Sequence, residues 1–371
     1  MAKPKDLRAL VELTKNTQTL LTHYQSSLAP AKDTSAAPQT AAAELPNPLD
    51  VIKATTTLLR SHTTTLSLLL ITPPFTPSAI IAKLSDVSSG VLGGMVAAAS
   101  YVPPPGQGDD VGNIMRTEVK SHVRRLLGTW GDVLSLILKM SEKRQSTQSN
   151  GDTKAKDTGP TESEKQEVLS ATGVVWDACD TLLKLCTDGV VGLVVKKAGE
   201  LRAVLLDAIE ELKEWGEDVD EDEAESSDDE DDIFEASNKL GKDDTELKEL
   251  LDTSVKKLKM VGMLYQALIK RRLKTYASTA SPAATNGTNT SKTKPSARLD
   301  SLMALLKTIP ETVDDLASAF YDLDEDEAKN TLEKCRGEAK SAAELVRQSW
   351  TGSDDEFTVW SDKWVSAFDA A

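Results

Sequence analysis

Asp322, Asp324, Asp326 and Glu333 stand at positions 1, 3, 5 and 12 of a calcium-loop spacing, the nearest this chain comes to a metal-binding motif. Such a loop turns sharply on a glycine at position six, where this chain has Glu327; Lys329 stands at position eight, where an apolar residue is usual, and no second loop follows. The acids read instead as a helix break whose carboxylates cap the next helix. His23, His62 and His122 fall on different predicted helices, and Glu118 precedes His122 by four residues where a di-iron bundle uses three. Gly106-Gln-Gly108 sits in a proline-rich turn with no strand before it, so it is not a nucleotide loop. No Gly-x-Ser-x-Gly or Cys/His constellation is present. Neither an enzyme nor a cofactor is expected.

The remaining chemistry is charge. Glu217–Glu235 holds 13 acidic side chains and no basic one, against a net charge of −16 for all 371 residues. A segment so charged cannot bury enough apolar surface to offset its ordering entropy, which predicts a disordered acidic connector over 216–241. Within it, Ser226 and Ser227 each have an acid three residues on, Asp229 and Glu230, and are expected phosphorylation sites of an acidophilic kinase. Lys270, Arg271, Arg272 and Lys274 form the one compact basic cluster, suited to nuclear import or a phosphate contact and otherwise the solvated face of a helix. Direct nucleic-acid binding is disfavoured, because duplex affinity comes from clustered cations and the acidic run would compete for these.

The elements that carry these residues are helices. Apolar side chains recur at alternating three- and four-residue steps nearly everywhere outside the linkers, and aromatic content is only 4%. A first helix spans Pro4 to Leu28. Asn47 and Pro48 open a second as cap and first-turn proline. Thr72-Pro-Pro-Phe-Thr-Pro77 ends it and begins a third. A fourth runs through Ile114, Trp130 and Met140, and two more, joined near Gly189, fill Val168 to Trp215. Beyond the acidic run come an amphipathic helix over Leu247–Leu268, a Ser/Thr/Asn insert at 278–296, and helices over Leu299–Leu323, Ala328–Trp350 and Glu356–Phe368. The reading is all-α: an N-terminal bundle at 1–215, the connector, and a C-terminal lobe at 242–371.

Cys179, Cys186 and Cys335 match no zinc or disulfide spacing and are expected as buried apolar residues in a reducing compartment. The first 16 residues lack the continuous apolar core of a secretory signal. Ser61–Ala82 is broken by Pro73, Pro74 and Pro77, and Val87–Val102 is short of the about 20 residues a membrane span requires, so no membrane insertion is expected. Gly90 and Gly94 in it suit close packing within a bundle.

Thr55-Thr-Thr-Leu58, Thr64 through Phe75 and Tyr101-Val-Pro103 resemble the N-terminal signature of the cyclin-D-binding, or Grap2 and cyclin-D-interacting (Maid), family. Val175-Trp176-Asp-Ala178-Cys179, the acidic run, and Asp314-Asp315-Leu316-Ala317 with Phe320 and Tyr321 resemble its later blocks, in the same order. The resemblance implies two helical lobes reminiscent of vinculin and α-catenin and no enzymatic activity. It also implies cyclin-type and helix-loop-helix protein partners, negative regulation of proliferation or transcription, and residence in nucleus and cytoplasm. The alternative on the same bundle is an adaptor linking cytoskeletal or membrane-associated proteins.

Overall fold

The structure, a computed structural model, describes residues 4–30, 47–103, 111–149, 159–217, 240, 244–276 and 295–371. Among them the regular elements are all helical. In chain order they are α1 (Pro4–Ser27), α2 (Pro48–Ile71), α3 (Pro77–Asp86), a π-helical turn (Val87–Val91), α4 (Leu92–Ser100), α5 (Gly112–Ser149), α6 (Glu162–Glu217), α7 (Thr245–Leu268), a second π-helical turn (Ile269–Leu273), α8 (Pro295–Tyr321), α9 (Glu325–Leu345) and α10 (Glu356–Ala370). The chain is all-α, as its apolar period requires. Of the 216–241 connector, Gly216 and Glu217 end α6 and Leu240 is buried; 218–239 and 241, with the 278–294 part of the insert, lie outside the described residues.

Two compact units result, Met1–Gly108 with Ile114–Gly189 and Asp109–Asn113 with Val190–Ala371. Their division falls at Gly189, not at residue 215. Inside α6, Gly189 adopts φ 64° and ψ −165°, a left-handed conformation that glycine tolerates without a Cβ penalty. There α6 breaks into two helices, and its second half packs with the C-terminal elements.

In unit 1 the helices close a ring. α1 lies against α3 and α5: Lys15 pairs with Glu142 at 2.8 Å and Gln18 Nε2 donates to Ser135 Oγ at 3.1 Å. α2 packs on α3 and α4, and the first half of α6 bridges α2 and α5 through Arg60–Asp180 and Lys139–Glu167. The interior is the predicted stripes, including Leu7, Leu59, Leu84, Val123, Trp130 and Cys179. Asn47 Oδ1 accepts from Leu49 N–H at 3.0 Å, which caps α2 as its Asn-Pro opening requires. Of the two small residues expected to pack closely, Gly94 does so: a Cβ there meets Thr55 Cγ2 at 3.4 Å, while at Gly90 it meets nothing within 4 Å. The stretch Pro77–Ser100 is long and apolar enough to cross a membrane by length and composition. In this fold Ile80, Leu84, Val87, Val91, Leu92 and Met95 bury one side of it in the unit 1 core.

Unit 2 pairs α8 and α9 as a hairpin against α7, with α10 on α7 and α9. The second half of α6 joins it: Arg202 Nε donates to Gly262 O at 3.1 Å, and Trp215 meets Phe320 and Tyr321 at centroid distances of 6.4 and 5.4 Å. α8 contains Pro310, which removes the N–H that should bond the carbonyl four residues earlier. That carbonyl belongs to Leu306, and the buried Tyr265 hydroxyl of α7 donates to it at 2.5 Å. Burial pushes the Tyr265 pKa well up, so it stays a donor. The helix therefore runs through its proline.

Candidate interaction site

The feature of unit 1 that its own packing leaves unused is an apolar strip on α2 and the first half of α6. Among the described residues its exposed large apolar side chains include Leu68, Leu169 and Trp176. Their register follows from the seam. Arg60 Nη2 lies 3.3 Å from Asp180 Oδ2, and Trp176 Nε1 donates to Thr64 Oγ1 at 3.2 Å, so α2 and α6 run antiparallel. Arg60, Thr64 and Leu68 follow at four-residue steps, and Leu169, Trp176 and Asp180 repeat at helical spacing opposite them. The Arg60 guanidinium also stands 5.7 Å from the Trp176 ring centroid, which fixes the indole across the seam. Leu68 is 56% and Leu169 49% exposed, so the seam's edge offers an apolar surface bounded by one Arg–Asp pair. Such an edge can accept the apolar face of an incoming amphipathic helix.

Unit 2 holds its charged residues differently. Arg272, placed by its sequence in the basic cluster with Lys270, Arg271 and Lys274, is not on the solvated face: it is 1% exposed. Its Nη1 and Nη2 reach Asp355 Oδ2 and Oδ1 at 2.7 and 2.8 Å, its Nε donates to Val346 O at 2.6 Å, and Nη2 also to Arg347 O at 2.8 Å. The guanidinium lies 4.3 Å from the Phe357 ring centroid. Arg298 closes the same turn, donating to Leu345, Gln348 and Ser349 carbonyls beside the Trp350 ring. These two arginines satisfy the carbonyls left open where α9 ends. Asp355 also caps α10 with a reciprocal bond to Thr358, and Arg272 beside it holds its carboxyl down at about 2. The stripe Leu258, Val261, Tyr265, Leu268 continues at Arg272, and that spacing was the available signal for an inward arginine. Its partner, 83 residues away, had none.

Two family models match in sequence, the N-terminal part of the Grap2 and cyclin-D-interacting family over residues 51–218 and its C-terminal part over 219–344. The chain belongs to the Grap2 and cyclin-D-interacting family. An uncharacterized protein of Schizosaccharomyces pombe is 24% identical over 321 residues, covering 86% of this chain and 83% of its own.

The family's two blocks meet at 218/219, close to the boundary read from the sequence, whereas the packing of this family member divides at Gly189. Trp176, within one of the family-like motifs, lies at the exposed seam, and its neighbours Val175 and Cys179 face the core. In the later motif Leu316 and Phe320 are buried, while Tyr321 Oη reaches Glu211 Oε1 at 3.4 Å. The calcium-like acids are a cap: Asp324 Oδ1 accepts from Glu327 N–H at 3.0 Å, and Leu323 before it takes a left-handed φ of 57°. Among the described residues no group of three or more His, Cys, Asp or Glu side chains is disposed to hold a metal ion. Burial pushes the thiols of Cys179, Cys186 and Cys335 up to about 12, 11 and 12, which keeps them protonated and unreactive. Ser226 and Ser227 lie outside the described residues.

Proposed function

We propose that this chain is a non-enzymatic protein-binding module that restrains cell-cycle progression or transcription by holding a cyclin-type or helix-loop-helix partner. The exposed seam of α2 and α6 carries this reading, since Leu68 and Leu169 stand 56% and 49% exposed along it. The family's description supplies the cyclin-type partner, and the N-terminal family block spans both helices of the seam. The same reading places the protein in cytoplasm and nucleus, with Lys270, Arg271 and Lys274, without Arg272, as the import cluster. Ser226 and Ser227 are its proposed phosphorylation sites.

The test is titration of the full chain with purified D-type cyclin and, separately, with a helix-loop-helix domain. Saturable binding to either supports the reading, and Leu68→Asp should weaken it by at least about tenfold, because a charge then replaces an anchor at the centre of the contact. If neither binds, while a cytoskeletal adaptor does, the vinculin-like alternative replaces this one.

A further inference from the structure

From Thr253 to Tyr276 the chain carries seven basic residues and no acidic one. Three of these are engaged: Arg272 is internal, Arg271 pairs with Glu356 at 3.1 Å, and Lys257 lies over the Phe368 ring. Lys256, Lys259, Lys270 and Lys274 are exposed and have no hydrogen-bond or ion-pair partner among the described residues. Elsewhere in unit 2, Lys307, Lys329, Lys334 and Lys340 each pair with a carboxylate. Lys256, Lys259, Met263, Gln266 and Lys270 follow at three- and four-residue steps, so they share one face about 21 Å long. Met263 at its middle is 52% exposed.

We propose that this face of α7 is the docking surface for the chain's own acidic run, Glu217–Glu235. Complementarity argues for it: 13 acids without one base are to be matched, and the face of Lys256, Lys259 and Lys270, unpaired among the described residues, lies on the very helix to which the run leads. Reach allows it. Ser226, at the run's centre, is 18 residues before Asp244, and 18 extended residues span about 60 Å. Lys270 lies 26 residues beyond Asp244, about 39 Å along the helix. A tether of this length gives the run an effective concentration on the order of millimolar, so weak contacts per residue are enough. Docked there, the run withholds the face from other polyanions, and phosphate on Ser226 and Ser227 tightens the contact. This reading is independent of the partner seam in unit 1.

The experiment compares the full chain with a variant lacking Glu217–Asp232, each prepared both with its native lysines and with Lys256→Glu, Lys259→Glu and Lys270→Glu. These lysines are exposed, so the helix tolerates the change, and circular dichroism confirms that it has. Amine-reactive labelling read by mass spectrometry should modify Lys256, Lys259 and Lys270 several-fold more slowly in the full chain than in the deletion. The difference should vanish near 1 M salt, where charges are screened beyond about 3 Å, and Lys15 and Lys139 should not change. A fluorescent poly-glutamate peptide of about 20 residues should bind the deletion variant at least about tenfold more tightly than the full chain, and the three charge reversals should remove that gain. Equal labelling of the lysines with and without the run overturns the proposal, as does peptide binding that ignores the charge reversals. Protection that rises with protein concentration assigns the face to the run of a second copy and equally overturns it.

Discussion

In unit 1 the buried hydroxyls of Thr14, Thr17, Thr63, Ser141 and Thr172 each donate to the carbonyl four residues earlier in their own helix. Unit 2 has such a bond at Ser254, but its larger polar groups cross between elements: Tyr265 to Leu306 O, Trp364 Nε1 to Met260 O at 3.0 Å, Arg202 to Gly262 O, and Arg272 to Asp355. A hydroxyl bonded within its own helix satisfies itself and says nothing about its neighbour, so inside the unit 1 core the helices meet by shape, and polar ties between them such as Arg60–Asp180 lie at the surface. A donor aimed at another helix's carbonyl fixes both rotation and translation. Among the described residues, the unit whose buried hydroxyls bond within their own helices is the one that exposes the α2–α6 seam, and unit 2 is the one pinned by cross-bonds.

Removing the strongest cross-bond should break this contrast most visibly. Arg272→Ala leaves Asp355 without its guanidinium partner and the Val346 carbonyl without its donor, and should cost about 3–5 kcal/mol in the denaturant transition of unit 2. Tyr265→Phe leaves the Leu306 carbonyl bare beside Pro310 and should cost about 1–3 kcal/mol. A smaller loss for Tyr265→Phe than for a surface control would show that α8 tolerates its proline unaided.

Acid should act on the same junction. The folded-state pKa of Asp355 lies below its unfolded value, so its contribution is fully present above about 4 and is lost as pH falls through about 2. The unit 2 denaturation midpoint should drop across that window, and Asp355→Asn should flatten the drop while lowering the midpoint at neutral pH. The smallest effect is expected in unit 1. Thr56 Oγ1 and Trp130 Nε1 are buried donors without a partner, so Thr56→Val should be neutral or stabilising by up to about 1 kcal/mol. A loss above that in thermal melts would mean that the hydroxyl is bonded after all.

The helices, the Asn47 cap, the break at Gly189 and the capping role of Asp324 were legible in the sequence, because each is written in residues within a few positions of one another. Pro310 is a local signal for a stop that a tyrosine 41 residues away from Leu306 cancels. Arg272 belonged by charge to an exposed cluster and by spacing to the buried stripe; only Asp355, far along the chain, makes the second possible. Composition and packing mark different boundaries for a related reason. The acidic run marks a change of composition, whereas packing changes at Gly189, where the second half of α6 finds Trp215 a place against Phe320 and Tyr321. The exposed seam was not legible as such, since Leu68 and Trp176 look like any other apolar residues until Arg60–Asp180 sets the register.

The central claim is that partner binding resides on that seam and not on the acidic run. Calorimetric titration of a D-type cyclin into the full chain, into Leu68→Asp with Leu169→Ala, and into the Glu217–Asp232 deletion tests it in one experiment. The account predicts that the seam variant loses at least about tenfold in affinity with its melting curve unchanged, while the deletion stays within about twofold at physiological salt. Loss of binding on deletion of the run, with the seam variant unaffected, would contradict it.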